Sequence, residues 1–485
     1  MRRLSVLQVA AILGGSVAAT SFPLLACRRS NVAQFTNGAH VVPAVETAAP
    51  ASNDQAPVAS EPASIGTSGA AAQKSTATVE PPPRPLRRCF PDAPSWVDAP
   101  VAALLDRAAE MFDGADYEGA LACAEEAARQ APRSVEAHHN RAVALLHLDR
   151  LDDARDALAL ALALAPDDPE TLEAAADLNI NQLAPSADRS QIGLEYARRG
   201  SRHVSRHDTE RVARLALLEG QALVDLGRSL EGLHRIEAAL AVSPKLVAAQ
   251  YERGVALFEL CRFADARHMF ERVLASTPDH GHALYHLGLI EERIGDESLA
   301  AHRLAEATAR DPKAFPAPPA ISPEQFEEHV RRAVANLPPD VAADLAGIQV
   351  QAAELPAIDD LTAEKPPLSP TILGLFRGLP LDWKADATTP TPAGRTGQAG
   401  RGKKARRAVA SGDDNPGDDA DGNGSHGDGA RCAVPDRAIV LYRRNLLRTV
   451  GDEAELDRAI TRTLLHEVGH LRGEDDGSLR DRGLE

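Results

Sequence analysis

Positive charge is what this chain is short of. Its 53 Lys and Arg stand against 70 Asp and Glu, a net charge of −17 over 485 residues, which argues against a role in coating DNA or RNA. Aromatic residues are scarce too, with 10 Phe, 5 Tyr and 2 Trp. That disfavours a β-sandwich, whereas abundant Ala and Leu suit closely packed helices. The five cysteines form no C-x-x-C pair and no Cys/His knuckle spacing, so neither a disulfide scaffold nor a thiolate metal cluster organises the fold. What remains is an ordinary globular balance, 44% hydrophobic and 25% charged, in a chain long enough for about two or three domains.

Residues 1–27 open with Arg2 and Arg3, run through an apolar stretch from Leu4 to Ala26, and close on Leu24-Leu25-Ala26-Cys27 before Arg28 and Arg29. This layout predicts a bacterial export signal whose cleavage leaves a lipidated Cys27, and hence a periplasmic or outer membrane-anchored lipoprotein. An uncleaved signal anchor is the alternative, although Gly14, Gly15 and Pro23 make the stretch a poor helix. Residues 28–95 are rich in Ala, Pro, Ser and Thr, with Pro81-Pro82-Pro83. They carry too little patterned apolar surface to fold and read as a disordered tether.

From residue 98 to 315 the sequence repeats. Pro132, Pro166, Pro244, Pro278 and Pro312 recur at intervals of 34, 78, 34 and 34. Small residues keep step: Ala108, Ala142, Gly220, Gly254 and Gly288 at one phase, Ala120, Ala154, Gly232, Ala266 and Ala300 twelve later. Ala127, Ala161, Ala239, Val273 and Ala307 follow seven after that. Small residues are required where two antiparallel helices approach most closely, and the proline closes the second helix. The pattern resembles the tetratricopeptide repeat. Since 78 equals 34 + 44, a sixth, diverged unit is expected near Glu170 to His207. The resemblance implies an α-solenoid that binds a protein or peptide partner in its groove. The alternative is an array that only spaces the C-terminal domain. His282 and His286, four apart on a first helix, lack a completing ligand and do not predict a metal site. Cys123 and Cys261 read as small buried apolar thiols.

Beyond the array, Ser322-Pro323-Glu324-Gln325 is a strong helix start, leading into an apolar face of Phe326, Val330 and Val334. Ile348–Gln351 alternates like a strand, Thr371–Gly378 is strand-like, and Arg437–Tyr442 reads as a strand, whose Ile439–Tyr442 part is a candidate edge for pairing with an extended substrate. Residues 385–431 are low complexity: a basic cluster at Arg401, Lys403, Lys404, Arg406 and Arg407, then an Asp/Gly-rich stretch without EF-hand spacing. They read as a disordered insertion. Asp452 and Glu455 then cap a helix with Leu456, Ile460, Leu464 and Val468 on one stripe.

That helix carries His466-Glu467-Val468-Gly469-His470. Residues four apart share a helix face, so both rings can reach one ion at about 2.0–2.1 Å. Gly473 lets the chain turn back, which offers Asp476 as third ligand, with Asp475 as competitor; the spacing of ten from His466 favours Asp476. One position stays open for water, and Glu467 is placed to take its proton.

Residues 321–485, outside the insertion, also resemble the minimal zincin-like metallopeptidases. The resemblance rests on the Phe326 helix, Asn336-Leu337-Pro338, Leu373-Gly374-Leu375-Phe376 with Gly378, Tyr442-Arg443-Arg444 and the His466-to-Asp476 motif. It implies a compact α+β zincin in which His466, His470 and Asp476 bind zinc, Glu467 is catalytic and the substrate is a peptide. Methionine occurs only at 1, 111 and 269, so the methionine turn of metzincins is absent. The expected architecture is mainly α: a solenoid followed by a small α+β domain. A non-catalytic interaction scaffold with a structural or vestigial metal site is the rival reading. Cys89 and Cys432 border the folded parts, and a disulfide between them is a further expectation to examine.

Overall fold

The structure is a computed structural model that describes Cys89 and residues 99–363, 365–381 and 437–484. Cys27, the 28–88 segment, the 385–431 insertion and Cys432 lie outside the described residues. The chain divides into two compact units, one ending at Pro166 and one running from Asp167 to Glu485.

The first unit contains two helical hairpins, α1 (Val101–Asp113) with α2 (Tyr117–Gln130), and α3 (Val135–His147) with α4 (Leu151–Leu164). Four more form the start of the second unit. They are α5 (Pro169–Asp177) with α6 (Ala187–His203), α7 (Thr209–Asp225) with α8 (Ser229–Val242), α9 (Val247–Glu259) with α10 (Phe263–Ser276), and α11 (Gly281–Ile294) with α12 (Glu297–Arg310). Each closing proline lies two residues past the end of a second helix, where a missing N–H costs nothing. The small residues sit where the helices touch. A Cβ on Gly220 would lie 2.4 Å from Ile236 Cγ1, and one on Gly232 would lie 2.8 Å from the Gly220 carbonyl oxygen. The α7 and α8 backbones therefore pack directly on each other.

The irregular 78-residue interval has a structural origin. A π-helical turn, Leu178–Gln182, extends α5, and α6 and α7 each run 17 residues against the 13 or 14 of most other helices in the array. Arg211 then bridges α7 to Glu170 and Glu173 of α5 at 2.9 and 3.1 Å.

A second phase runs through the hairpin turns. Ala115, Asp149, Gly227, Cys261 and Gly295 all adopt positive φ, between 55° and 85°, at the same 34, 78, 34, 34 intervals. Glycine occupies this left-handed position in only two of the five turns, so the other three hold a Cβ in a crowded conformation.

Cys123, on α2, is wholly buried, but it is not a free thiol. It is joined to Cys89 with Cα atoms 4.7 Å apart, in a core with Leu104, Leu105 and Ala108. This corrects both cysteine readings, since Cys89 is committed to Cys123 and is not available to Cys432. Sequence spacing carries no information about Cβ proximity, which alone decides the pairing. Cys261 is free and half-buried, and burial pushes its thiol up to about 11.

The C-terminal domain follows. Its helices are α13 (Pro323–Ala335), α14 (Pro339–Asp344), α15 (Ile358–Leu361), α16 (Arg443–Leu447), α17 (Glu453–Arg472) and α18 (Asp476–Asp481). Its strands are β1 (Gln349–Ala353), β2 (Gly374–Arg377) and β3 (Ala438–Tyr442). The Ser322 cap is formed as expected: Gln325 N donates to Ser322 Oγ at 3.2 Å, and Ser322 N donates to Gln325 Oε1 at 2.8 Å. Leu456, Ile460, Leu464 and Val468 of α17 pack with Phe326 and Val330 of α13 and with Ile439 and Leu441 of β3.

The sheet order is β1-β3-β2, with β3 parallel to β1 and antiparallel to β2. Both edges of β3 are thus hydrogen-bonded. The expectation that Ile439–Tyr442 pairs with an extended substrate is corrected: a central strand has no unpaired backbone to offer. Its all-apolar sequence fits burial on both faces.

Consecutive arginines directly after β3 join this domain to the last repeat hairpins. Arg444 reaches Glu292 of α11 at 3.2 Å, Glu297 of α12 at 2.9 Å and Glu354 at 2.9 Å. Arg443 also holds Glu354, at 2.7 Å, and Arg448 pairs with Glu292. Hydrogen bonding from Arg443, joined by Arg444, holds the Glu354 carboxyl down to about 2.

Two outcomes are expected from this packing. Ala115→Gly should raise the chemical denaturation midpoint by the equivalent of about 0.5–1 kcal/mol, relief of the left-handed Cβ outweighing the glycine's extra chain entropy. Arg444→Ala should cost about 2 kcal/mol in the same measurement, because Glu292 and Glu354 each lose a charged partner. An unchanged midpoint in either variant would contradict the corresponding assignment.

Candidate metal centre

The site is built by one helix and the chain reversal after it. Asp452 caps α17 by accepting the Glu455 N–H at 2.8 Å, and the helix runs 20 residues. Its apolar stripe faces the core, and the turn carrying His466, Glu467 and His470 is buried with it. Gly473, at φ 100°, ends the helix. A left-handed residue is what a reversal here needs, and glycine adopts it without strain.

The next two acidic residues divide the work. Asp475 accepts the Ser478 N–H at 2.8 Å as the cap of α18. Asp476 is thereby turned inward, its Oδ1 3.3 Å from His470 Nε2 and 3.9 Å from His466 Nε2. The two Nε2 atoms are 3.0 Å apart. Ligands of a tetrahedral ion at about 2.0–2.1 Å lie roughly 3.3–3.4 Å from one another, so the three separations bracket the required value.

Both ring orientations are fixed from behind. His466 Nδ1 lies 2.7 Å from the Leu484 carbonyl oxygen, and His470 Nδ1 lies 3.1 Å from that of Glu474. A carbonyl only accepts, so each Nδ1 carries hydrogen, and in the neutral ring each Nε2 presents a lone pair. Two lone pairs and a carboxylate oxygen converge, an arrangement that repels itself unless a cation, proton or metal lies among them. The same surroundings act on His470: burial disfavours its charged form, but the Asp476 carboxylate and nearby Glu467 prevail and hold its pKa above the ordinary imidazole value.

Glu467, fully buried, accepts the Phe376 N–H at 2.7 Å through Oε2. Gly374 makes the space, since a Cβ there would stand 3.0 Å from Glu467 Oε1 and 2.7 Å from Thr463 Cγ2. Strand β2 thus positions the carboxylate that the helix supplies.

The structure therefore brings together His466, His470 and Asp476, with Glu467 beside them, and places Asp475 elsewhere. They are the one grouping of three such donors among the described residues. His282 and His286 do not join a cluster of this kind. His286 is buried against Phe270 and Phe258, and burial pushes its pKa down to about 4. Several supporting groups were invisible beforehand, because the Leu484 and Glu474 carbonyls and the Phe376 amide are backbone atoms. Gly469 is the exception, a readable signal: Leu479 of α18 packs where its Cβ would be, with Leu479 Cδ2 only 2.2 Å away.

Comparisons with known proteins find two family models along the chain. Residues 422–484 match the family model of a zincin-like metallopeptidase, and residues 105–169, 217–267 and 258–315 match that of the tetratricopeptide repeat. No curated protein matches the chain. Similar solved structures include PilW, a type IV pilus biogenesis factor, at 20% identity over 47% of this chain and 97% of that one, with a TM-score of 0.38. Pseudomonas aeruginosa pilF is similar at 17% identity over 48% of this chain and 97% of that one, with a TM-score of 0.37. YrrB, a tetratricopeptide protein with an unusual peptide-binding site, gives 17% identity over 39% and 93%, with a TM-score of 0.30. No helix among the described residues is long and apolar enough to cross a membrane.

Gly469→Ala should push Leu479, and with it α18 and Asp476, away from the histidines. Zinc affinity, measured by competition with a chromogenic chelator, should fall about 10- to 100-fold while the helical circular dichroism is retained. Unchanged affinity would mean that α18 does not position a ligand.

Proposed function

We propose that the chain is a zinc-dependent metallopeptidase, a hydrolase of peptide bonds, whose tetratricopeptide array recruits a protein or peptide partner. On this reading residues 98–315 are the recruiting array and residues 321–485 the hydrolase. His466, His470 and Asp476 hold Zn²⁺, and Glu467 is the catalytic residue. The export signal at 1–27, with lipid on Cys27, completes the proposal by placing the enzyme at a membrane surface. The observation that carries it is the convergence of two Nε2 lone pairs and the Asp476 carboxylate, each imidazole locked into its tautomer by a backbone carbonyl.

The donor set suits zinc: two neutral imidazoles and one carboxylate are a common catalytic complement, and three protein ligands leave a fourth position. Zinc bound there supplies Lewis acidity and lowers the pKa of coordinated water to about 7. The chain's own residues do the rest. His466 and His470 keep their Nδ1 hydrogens on carbonyl oxygens, which prevents rotation of the rings. Glu467, steadied through Oε2 by the Phe376 amide, takes a proton from the attacking water on its other oxygen and delivers it to the departing amine. Burial of the helix face limits bulk water and keeps these interactions strong.

Glu467→Gln separates this reading from a non-catalytic scaffold. The amide oxygen can still accept from Phe376, so zinc by elemental analysis should stay at one per chain. Hydrolysis of a fluorogenic peptide library should drop at least about 100-fold. A parent protein that binds zinc without cleaving any peptide would leave the scaffold with a structural metal, and a variant as active as the parent would remove Glu467 from the catalytic role.

A further inference from the structure

A cavity of about 410 Å³ lies within the second unit, a volume typical of ligand clefts. Its walls come from the 180–190 segment between α5 and α6, from the first helices of three repeat hairpins, α7, α9 and α11, and from the 367–371 loop, the end of α16 and α18. Asp476 and Arg480 of α18 lie at its edge, so it adjoins the candidate metal centre. Its chemistry is unusual for a repeat groove. Tyr251, Phe258 and Tyr285 supply aromatic surface, while Asp225, Glu252 and Glu259 supply three carboxyls.

These carboxyls are poorly compensated. Asp225 accepts one hydrogen bond, from Ser190 Oγ at 3.3 Å, and Glu252 accepts one from Gln221 Nε2 at 3.0 Å. Neither makes an ion pair with any described residue, and Glu259 is bonded to Ser369. Enclosure by protein pushes all three up to about 7. Asp225 is the exposed carboxyl of the three and Glu252 the buried one. Arg293 lies near Glu259 and Arg448 is committed to Glu292, so Asp225 and Glu252 are the two carboxyls left without a basic partner among the described residues. An occupant that filled the cavity without bringing charge would leave Asp225 and the buried Glu252 without an ionic partner, which is costly. An occupant with an ammonium or guanidinium group satisfies them, and its alkyl stem lies against the aromatic rings.

We propose that this cavity is a specificity subsite for a basic side chain, lysine or arginine, of the peptide presented to the His466–His470–Asp476 cluster. The proposal rests on the metallopeptidase reading and adds a substrate class to it. Asp225 and Glu252 are the residues that select the charge, and Tyr251 and Tyr285 flank the stem.

The test uses the full chain carrying Glu467→Gln, so that nothing is cleaved, and fluorescence polarisation of two labelled hexapeptides that differ in two lysines against two glutamines. The lysine peptide is expected to bind at least about tenfold more tightly at low salt. Adding Asp225→Asn with Glu252→Gln should reduce that preference to within about twofold, whereas Asp152→Asn, an exposed acid of α4 outside the cavity, should leave it intact. Both cavity substitutions remove enclosed charge and keep an acceptor oxygen; if the pair fails to fold by circular dichroism, Glu252→Gln alone makes the same comparison. Equal affinity for the two peptides, or a preference that survives the cavity substitutions, overturns the proposal. Failure of the peptidase reading shows separately, as a parent chain that cleaves neither peptide while the lysine preference persists.

Discussion

The Nε2 atoms of His466 and His470 face each other 3.0 Å apart on α17. The backbone imposes that contact, because the Leu484 and Glu474 carbonyls occupy the opposite nitrogens, and two neutral rings held this way repel each other. Everything around it serves to hold it: a stripe of leucine, isoleucine and valine that fixes the helix against the sheet, a glycine that reverses the chain, and a short final helix that returns a carboxylate to the same point. Such an arrangement is stable only around positive charge. The electrostatics of the site, rather than its motif alone, argue for a cation.

The second constraint is how the C-terminal domain is tied to the repeats before it. Arg443, Arg444 and Arg448 follow the central strand within six residues and consume Glu292, Glu297 and Glu354. Asn445 adds hydrogen bonds to the Pro370 and Ile372 carbonyls at 3.2 and 2.7 Å. The loop that these contacts hold is also a wall of the acidic cavity, so one set of side chains fixes both the domain and the shape of the space beside its candidate metal centre. Charges desolvated at such a junction add little net stability even when well paired, but they specify a unique arrangement of partners.

Periodicity made the repeats legible, because close helix contact demands small residues and a helix end tolerates proline. The left-handed turn residues keep the same intervals, yet only Gly227 and Gly295 announce themselves; Ala115, Asp149 and Cys261 adopt the conformation without the usual residue. In the C-terminal domain, the helix that carries His466 and His470 and the return of Asp476 followed from helix geometry and a single glycine. Pairings that depend on distance were not legible. Cys89 meets Cys123 rather than Cys432, and β3 lies in the middle of its sheet, since neither cysteine spacing nor alternation encodes which strand lies outermost. Helix α18, six residues long, is too short to leave a period, although Gly469 marks where it docks.

Cobalt(II) reports coordination directly, because its visible absorption distinguishes four-coordinate from six-coordinate geometry. Titrated into metal-free full-length protein, it should give an intense four-coordinate spectrum that saturates at one equivalent per chain and is lost in His466→Ala and Asp476→Ala. A weak six-coordinate spectrum, or no saturable binding, would show that these three side chains do not close around one ion.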